Sequence, residues 1–325
     1  MTTRSAVPFC GVPTARLGQV PQNAVAAVLG AGYALGSPHD GAENGPYFLR
    51  TVSKTYTWAA AVPRIVDLRT GGSALGGVVD MGDLVFDGMS LERAQRTVRL
   101  AVASLPPRTM PAVIGGDHTV TLPVVEVLAA RRSAPFTVVQ FDHHLDLQIW
   151  DAAPARPDAT REPVFHTNVM SHVSDRVGPG RLVQVGVAPW ATVEAEAADD
   201  VAGFLAGIGR RACLFSSDLE DPTRFRSLVG AGADVYLTVD VDVLDETVMS
   251  STSYPARVGI GVRELFHLID EILSRNRLIG FDVVEFAADR TARDATTLAD
   301  AERATMVFLH LMAWACRQAG EDCRD

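Results

Sequence analysis

The chain has 325 residues, a formal net charge of −10 at pH 7, 47% hydrophobic residues and 21% charged residues. That length suffices for one large α/β domain with a sizeable core, and the balance is that of an ordinary globular protein. The negative charge argues against nucleic acid as a partner, and no apolar run reaches the roughly 18 residues of a membrane-spanning helix.

The four cysteines form no CxxC pair, which suits a reducing, cytoplasmic setting. Residues 1–20 carry Pro8 and Pro13 and lack a basic end followed by an apolar core. They read as a flexible amino-terminal arm rather than a signal peptide, with residues 21–325 as a single domain. Ala24 to Leu29 is the first predicted strand and runs into Gly30-Ala31-Gly32. Residues 36–50, rich in Gly and Pro, read as a loop. Gly77 to Asp80 is a second strand. Ser90 is a fitting N-cap for a helix from Leu91 to about Leu105, which Pro106-Pro107 ends. Pro111 to Ile114 is a third strand, followed by a helix over 119–132. Further strands are predicted at Phe136 to Phe141, Leu182 to Val187, Arg211 to Phe215, Val235 to Val241 and Ile279 to Val284. Helices are expected near 191–207, 221–230 and 262–275, and a long apolar one from Thr297 to Ala319. Apolar strands alternating with helices imply a mostly parallel sheet of about eight strands covered on both faces, a three-layer α/β/α arrangement. In such sheets the ligand site lies at the carboxyl ends of the strands.

Three strand ends carry the chemistry. Val138-Val139-Gln140-Phe141 breaks into Asp142-His143-His144-Leu145-Asp146. Strand alternation puts Asp142, His144 and Asp146 on one face, a donor set for a divalent metal. Val235 to Val239 runs into Asp240-Val241-Asp242, again with alternate carboxylates. Ile114-Gly115-Gly116-Asp117-His118 places a histidine beyond a glycine turn that permits close backbone approach. Together these ends hold more negative charge than a buried site tolerates without cations.

Gly-Gly-Asp-His, then Asp-x-His-x-Asp, then Asp-x-Asp, in that order, resembles the ureohydrolase family of arginases, agmatinases, guanidinobutyrases and formiminoglutamases. Gly45-Pro46 with Arg50, Asp80-Met81-Gly82-Asp83 and Asp282-Val283-Val284-Glu285 resemble further elements of that family. The resemblance implies an arginase-like fold, two Mn²⁺ per subunit (with Ni²⁺ or Co²⁺ as alternatives) and assembly into trimers or hexamers. It assigns His118, Asp142, Asp146 and Asp240 to one ion and Asp142, His144, Asp240 and Asp242 to the other. Four carboxylates neutralise two divalent cations, and oxygen-rich ligation favours manganese over zinc. Two ions about 3.5–4 Å apart can share one hydroxide and lower its pKa. Glu285 is then the partner of the substrate cation, Asp146 also accepts a hydrogen bond from the nucleophile, and His166 shuttles protons or contacts substrate. His172 competes with His166 for that part. His310 reads as packed, His267 as a surface residue, and His39 as an ordinary residue of the amino-terminal loop.

Several positions depart from the relatives. His143 stands where a small residue is usual, and alternation should point it away from the metals. The stretch from Leu147 to Phe165 lacks the Asn and Ser with which arginase reads an amino acid. Gln184 to Trp190 lacks the Arg that arginases show. Both departures argue against arginine as substrate. Met249 to Pro255 replaces a Gly- and Pro-rich run, making Tyr254 and Trp150 candidate pocket walls. The expected function is hydrolysis of a guanidino group on an agmatine-like or guanidino-acid substrate, giving urea and an amine. The alternatives are a formiminoglutamase-like amidine hydrolase, a single-zinc deacetylase, which Asp240 and Asp242 disfavour, and a catalytically silent metal-binding homologue.

Overall fold

The computed structural model describes residues 3–4, 7–57, 65–147, 163–190, 213–215 and 222–322. Trp150, most of the 147–165 stretch and the helix expected over 191–207 lie outside the described residues. In chain order the strands are β1 (Thr3–Arg4), β2 (Ala26–Ala31), β3 (Val66–Asp67), β4 (Gly72–Ser73), β5 (Val78–Leu84), β6 (Met110–Gly115), β7 (Thr137–Phe141), β8 (Leu182–Val187), β9 (Cys213–Phe215), β10 (Asp234–Asp240) and β11 (Arg277–Val284). The helices are α1 (Gly45–Ser53), α2 (Leu91–Ala103), α3 (Thr121–Arg131), α4 (Val169–Val177), α5 (Pro222–Val229), α6 (Val262–Leu273) and α7 (Ala295–Asp322).

Among the described residues one sheet of nine strands runs β1-β5-β2-β6-β11-β10-β7-β8-β9. All its pairings are parallel except that of the two-residue edge strand β1. The side chains sort by strand alternation into two cores. Val28, Val139, Phe141, Leu237 and Val239 face one side, with α1, α6 and α7. Ala27, Leu29, Val138 and Tyr236 face the other, with α2, α3 and α4. This is the three-layer arrangement the sequence implies. Each fully buried large apolar side chain, such as Phe281 or Phe308, contributes about 1.5–3 kcal/mol.

Two helices escape the sequence reading. The Gly/Pro-rich segment ends in α1, where Pro46 occupies the first turn, the helix position that tolerates its missing N–H. Helix α4 turns Val169, Met170 and Val173 inward.

Part of residues 1–20, the expected amino-terminal arm, packs onto the domain. Phe9 and Cys10 are buried, and the Phe9 N–H donates to Asp80 Oδ2 at 2.7 Å. The cause is a buried ion cluster. The Arg50 guanidinium, 1% exposed, reaches Asp80 through Nη1 and Asp83 Oδ1 through Nε, the latter at 2.7 Å. It also donates to the carbonyls of Val7 and Gly82.

Candidate metal centre

Strands β10 and β11, the last two in sequence, insert between β6 and β7. The carboxyl ends of β6, β11, β10 and β7 therefore lie side by side and deliver His118, Glu285, Asp240 with Asp242, and Asp142 with His144 and Asp146.

The residues after β7 meet by a different route from strand alternation. Strand β7 stops at Phe141, and an irregular turn follows. The His144 N–H donates to Asp142 Oδ1 at 2.6 Å, and Asp146 sits in the left-handed region at φ 51°. Strand β10 likewise stops at Asp240, and residues 241–243 form a single 3-10 turn, with the Asp242 N–H donating to Asp240 Oδ1 at 2.9 Å. The same turn recurs where Thr119 N–H donates to Asp117 Oδ1 (3.0 Å) and Gly82 N–H to Asp80 Oδ1 (2.7 Å). An aspartate accepting from the N–H two residues on folds the chain sharply. In each case Oδ2 stays free for another task. Gly116 is needed at the β6 end, because a Cβ there would lie 1.9 Å from the Tyr33 carbonyl oxygen.

The six expected ligands converge. Nδ1 of His118, a fully buried ring, faces Asp142 Oδ2 at 3.1 Å, Asp146 Oδ2 at 3.0 Å and Asp240 Oδ2 at 3.3 Å. His144 Nδ1 lies 3.0 Å from Asp242 Oδ2 and 3.5 Å from Asp142 Oδ1. Two donor groups, His118 with Asp142 and Asp146, and Asp142 with His144 and Asp242, are compact enough to hold an ion. The imidazole of His118 tests the fit. Its Nε2 is 2.9 Å from Thr238 Oγ1, while its Nδ1 has no hydrogen-bond partner among the described residues. A lone pair aimed at three carboxylate oxygens calls for a cation between them. The electrostatics agree. Burial first, and then Asp242 and Asp142, push the Asp240 carboxyl well above its usual range. Burial and Asp142 raise Asp146 to about 6. For His118 burial favours the neutral ring, but Asp142, Asp146 and Asp240 outweigh it and raise its pKa well above the usual value. The donor set therefore fits divalent cations.

Glu285 follows β11 at φ 63°, a strained conformation worth about 1–3 kcal/mol. Its Oε1 accepts from the His118 N–H at 2.7 Å. Burial, then Asp117, raises its pKa well above the normal carboxyl value. His166 is 7% exposed, and its ring stacks on Tyr254 with centroids 5.8 Å apart and planes at 18°. Burial, then His118, His144 and His39, lowers its pKa to about 4. His172 instead lines a separate cavity of about 430 Å³ with Gln95, Arg99 and Glu126. Tyr254 also meets His144 edge-on at 6.0 Å. His143 lies beside the site, its ring edge-on to His144 at 5.2 Å, because the chain has already left the strand. His310 packs as expected, stacked on Phe266 and 2.8 Å from Asp270, and His267 is exposed.

Sequence reasoning overlooked Thr238 and gave Asp282 no task. The hydroxyl of Thr238 is 3.2 Å from that of Thr121, which donates to Asp282 Oδ2 at 3.0 Å. This buried run of hydroxyls ends on a carboxylate and fixes the His118 ring. Its one sequence signal is that Thr238 precedes Asp240 by two, on the same side of β10.

Comparison with known proteins agrees with this geometry. The arginase family model matches residues 24–310. A formimidoylglutamase of Halobacterium salinarum is 31% identical over 262 residues, 78% of this chain and 79% of that protein. An agmatinase of Bacillus cereus is 27% identical over 222 residues, 68% of this chain and 70% of its own. The solved proclavaminate amidino hydrolase of Streptomyces clavuligerus shares the fold, with a TM-score of 0.75 at 23% identity, over 97% of this chain and 98% of that one. Family model, fold and converging donors lead to one conclusion: the chain belongs to the arginase family, hydrolases that cleave the C–N bonds of amidino and guanidino groups.

Proposed function

We propose that the chain hydrolyses the guanidino group of a small cationic substrate, agmatine-like or a guanidino acid, at a two-metal centre, giving urea and an amine. The observation that carries this reading is the unpartnered His118 Nδ1 facing three carboxylates. His118, Asp142, Asp146 and Asp240 would hold one ion and Asp142, His144, Asp240 and Asp242 the other. Mn²⁺ is preferred for the oxygen-rich donors, with Ni²⁺ and Co²⁺ as alternatives. Such a pair of ions supplies Lewis acidity and a water of lowered pKa.

The protein's own groups do the rest. The Glu285 carboxylate, one oxygen already set by the His118 N–H, accepts the N–H groups of the planar cation and orients its carbon. Asp146 accepts a hydrogen bond from the attacking water and fixes its approach. His166 is neutral at pH 7, because its pKa is lowered to about 4. It can take a proton and hand it to the departing amine. Tyr254 walls the pocket beside His144. Trp150, the other wall expected from sequence, lies outside the described residues. The sparse cysteines support a cytoplasmic setting, the absence of a linker in the sequence supports one domain over residues 21–325, and the family resemblance supports a homo-oligomer, trimer or hexamer.

A second reading, hydrolysis of a formimino compound to an amide and an amine, is favoured by the 31% identity to a protein named formimidoylglutamase. One panel separates the two. Purified protein loaded with Mn²⁺ is offered guanidino and formimino compounds, and urea and amine release are measured. Guanidino turnover with urea as product is expected. No turnover across the panel with two metals bound per chain would sink both readings. Asp242→Ala should abolish turnover and halve the bound metal, and an active Asp242→Ala would refute the two-metal assignment.

A further inference from the structure

Two distant loops meet beside the candidate metal centre. His39 Nε2 lies 2.9 Å from the Tyr254 hydroxyl, and the two rings meet edge-on at 5.1 Å. The same Tyr254 ring stacks on buried His166 and stands edge-on to His144. Tyr254 is thus held on three sides, although it is 42% exposed.

Both loops are anchored to the segment that follows Glu285. The Ala287 N–H donates to the Ser251 carbonyl at 2.9 Å, and the Ala288 N–H to that of Gly41 at 3.4 Å. Buried Asp300 on α7 fastens the Tyr254 loop from behind, its Oδ2 accepting from the N–H and hydroxyl groups of Ser250 and Ser251 at 2.9–3.0 Å. The loop bases are therefore fixed, and His39 supplies the hydrogen bond that holds the Tyr254 hydroxyl while His166 and His144 flank the ring. An aromatic ring fixed beside the reacting centre limits which substrate tails can pass.

We propose that His39 and Tyr254 form a clasp that sets tail selectivity, with His39 as a positioning residue and the Tyr254 ring as the surface the tail packs against. This rests on the amidino-hydrolase reading above, and it locates the choice between tails at the mouth rather than among the acids that hold the cation. The clasp makes the two residues act as a unit, so their effects should not add.

The test is a double-mutant cycle in the Mn²⁺-loaded full-length protein on short- and long-tailed guanidino and formimino compounds. His39→Ala should raise KM by about fivefold, the worth of one lost hydrogen bond, lower kcat by no more than about twofold, and narrow the spread of KM across tails. Tyr254→Phe, which keeps the ring, should do the same. The double variant should be no worse than either single one. Additive effects, or a tail ranking unchanged in His39→Ala, would overturn the clasp. A readout free of turnover accompanies the kinetics. In ¹⁵N-histidine spectra Tyr254→Phe should move the His39 Nε2 resonance, and an unmoved resonance also overturns it. Should the wild type turn over no compound, the proposed reaction fails separately. The clasp is then judged on thermal shifts of the loaded protein with the same compounds, where His39→Ala must alter the ranking and an unaltered ranking overturns it.

Discussion

In the proposed metal centre Thr238 would do for His118 what a carboxylate or carbonyl often does for a metal-binding histidine. With Thr238 accepting from the Nε2–H, 2.9 Å away, Nδ1 is left as the lone-pair atom facing Asp142, Asp146 and Asp240. Losing such a support commonly lowers metal affinity by about 10–100-fold. Thr238→Val, nearly isosteric, should show that loss in a competitive chelator titration, and Thr238→Ser should restore most of the affinity. A Thr238→Val protein that binds metal like the wild type would refute the tautomer assignment. The six side chains that converge were conspicuous in the sequence, because carboxylates and imidazoles stand out at the ends of apolar runs. Thr238 was not, since threonine is ordinary in a strand. His39 read only as a loop residue, because its partner lies 215 positions along the chain, a separation no local pattern encodes.

Among the elements, the strands were the most legible, because each is a short apolar run closed by glycine, proline or aspartate. Leu182–Val187 has the same bounds in sequence and structure. Helix α1 was hidden by Gly45-Pro46, a pair that reads as a turn yet here opens a helix. That helix matters beyond its length, since it carries Arg50 into the buried cluster with Asp80 and Asp83. Removing one partner of a buried ion pair strands the others, at a cost of about 3–5 kcal/mol. Arg50→Ala should lose about that much in denaturant unfolding and free the amino-terminal segment, seen as faster proteolysis before residue 20. Unchanged stability would mean that the cluster is solvated in solution. Strand alternation does not extend to Asp142, His144 and Asp146, since β7 ends at Phe141. Turns after the strand, rather than pleating within it, make them meet.

Across the whole molecule, strand order was the illegible part. Nothing local in the sequence inserts β10 and β11 between β6 and β7, yet that insertion brings four acidic or histidine-bearing strand ends into one place. The arrangement sets stability against function. Asp240 has its pKa raised well above normal by burial, Asp242 and Asp142. Its metal-free native state therefore binds more protons than the unfolded chain. That contribution is present below about pH 4, the unfolded carboxyl value, and is lost as pH rises through the raised native value. Asp240→Asn should melt higher than the wild type in chelator at pH 7 and lose less stability between pH 5 and 8. With Mn²⁺ added the order should reverse, because saturating metal lifts the wild type by about 4 kcal/mol at a thousandfold excess over Kd. A wild type that melts higher than Asp240→Asn in chelator would show that the carboxylates are not in conflict without metal.

The turns at the strand ends bear on how such a site can decay through mutation. In Asp80, Asp117, Asp142 and Asp240 one oxygen holds the chain's own N–H two residues on, while the other serves the ion cluster, a neighbouring loop or the metal site. At Asp142 and Asp240 the proposed metal-binding duty and the architectural one fall on the same side chain. Alanine at Asp142 or Asp240 removes both at once. Asparagine removes the charge and keeps the turn. A lineage that abandons the reaction but keeps the fold thus has a narrow exit, through amides and hydroxyls at these positions, and an inactive descendant should still carry the outline of the metal site in its backbone.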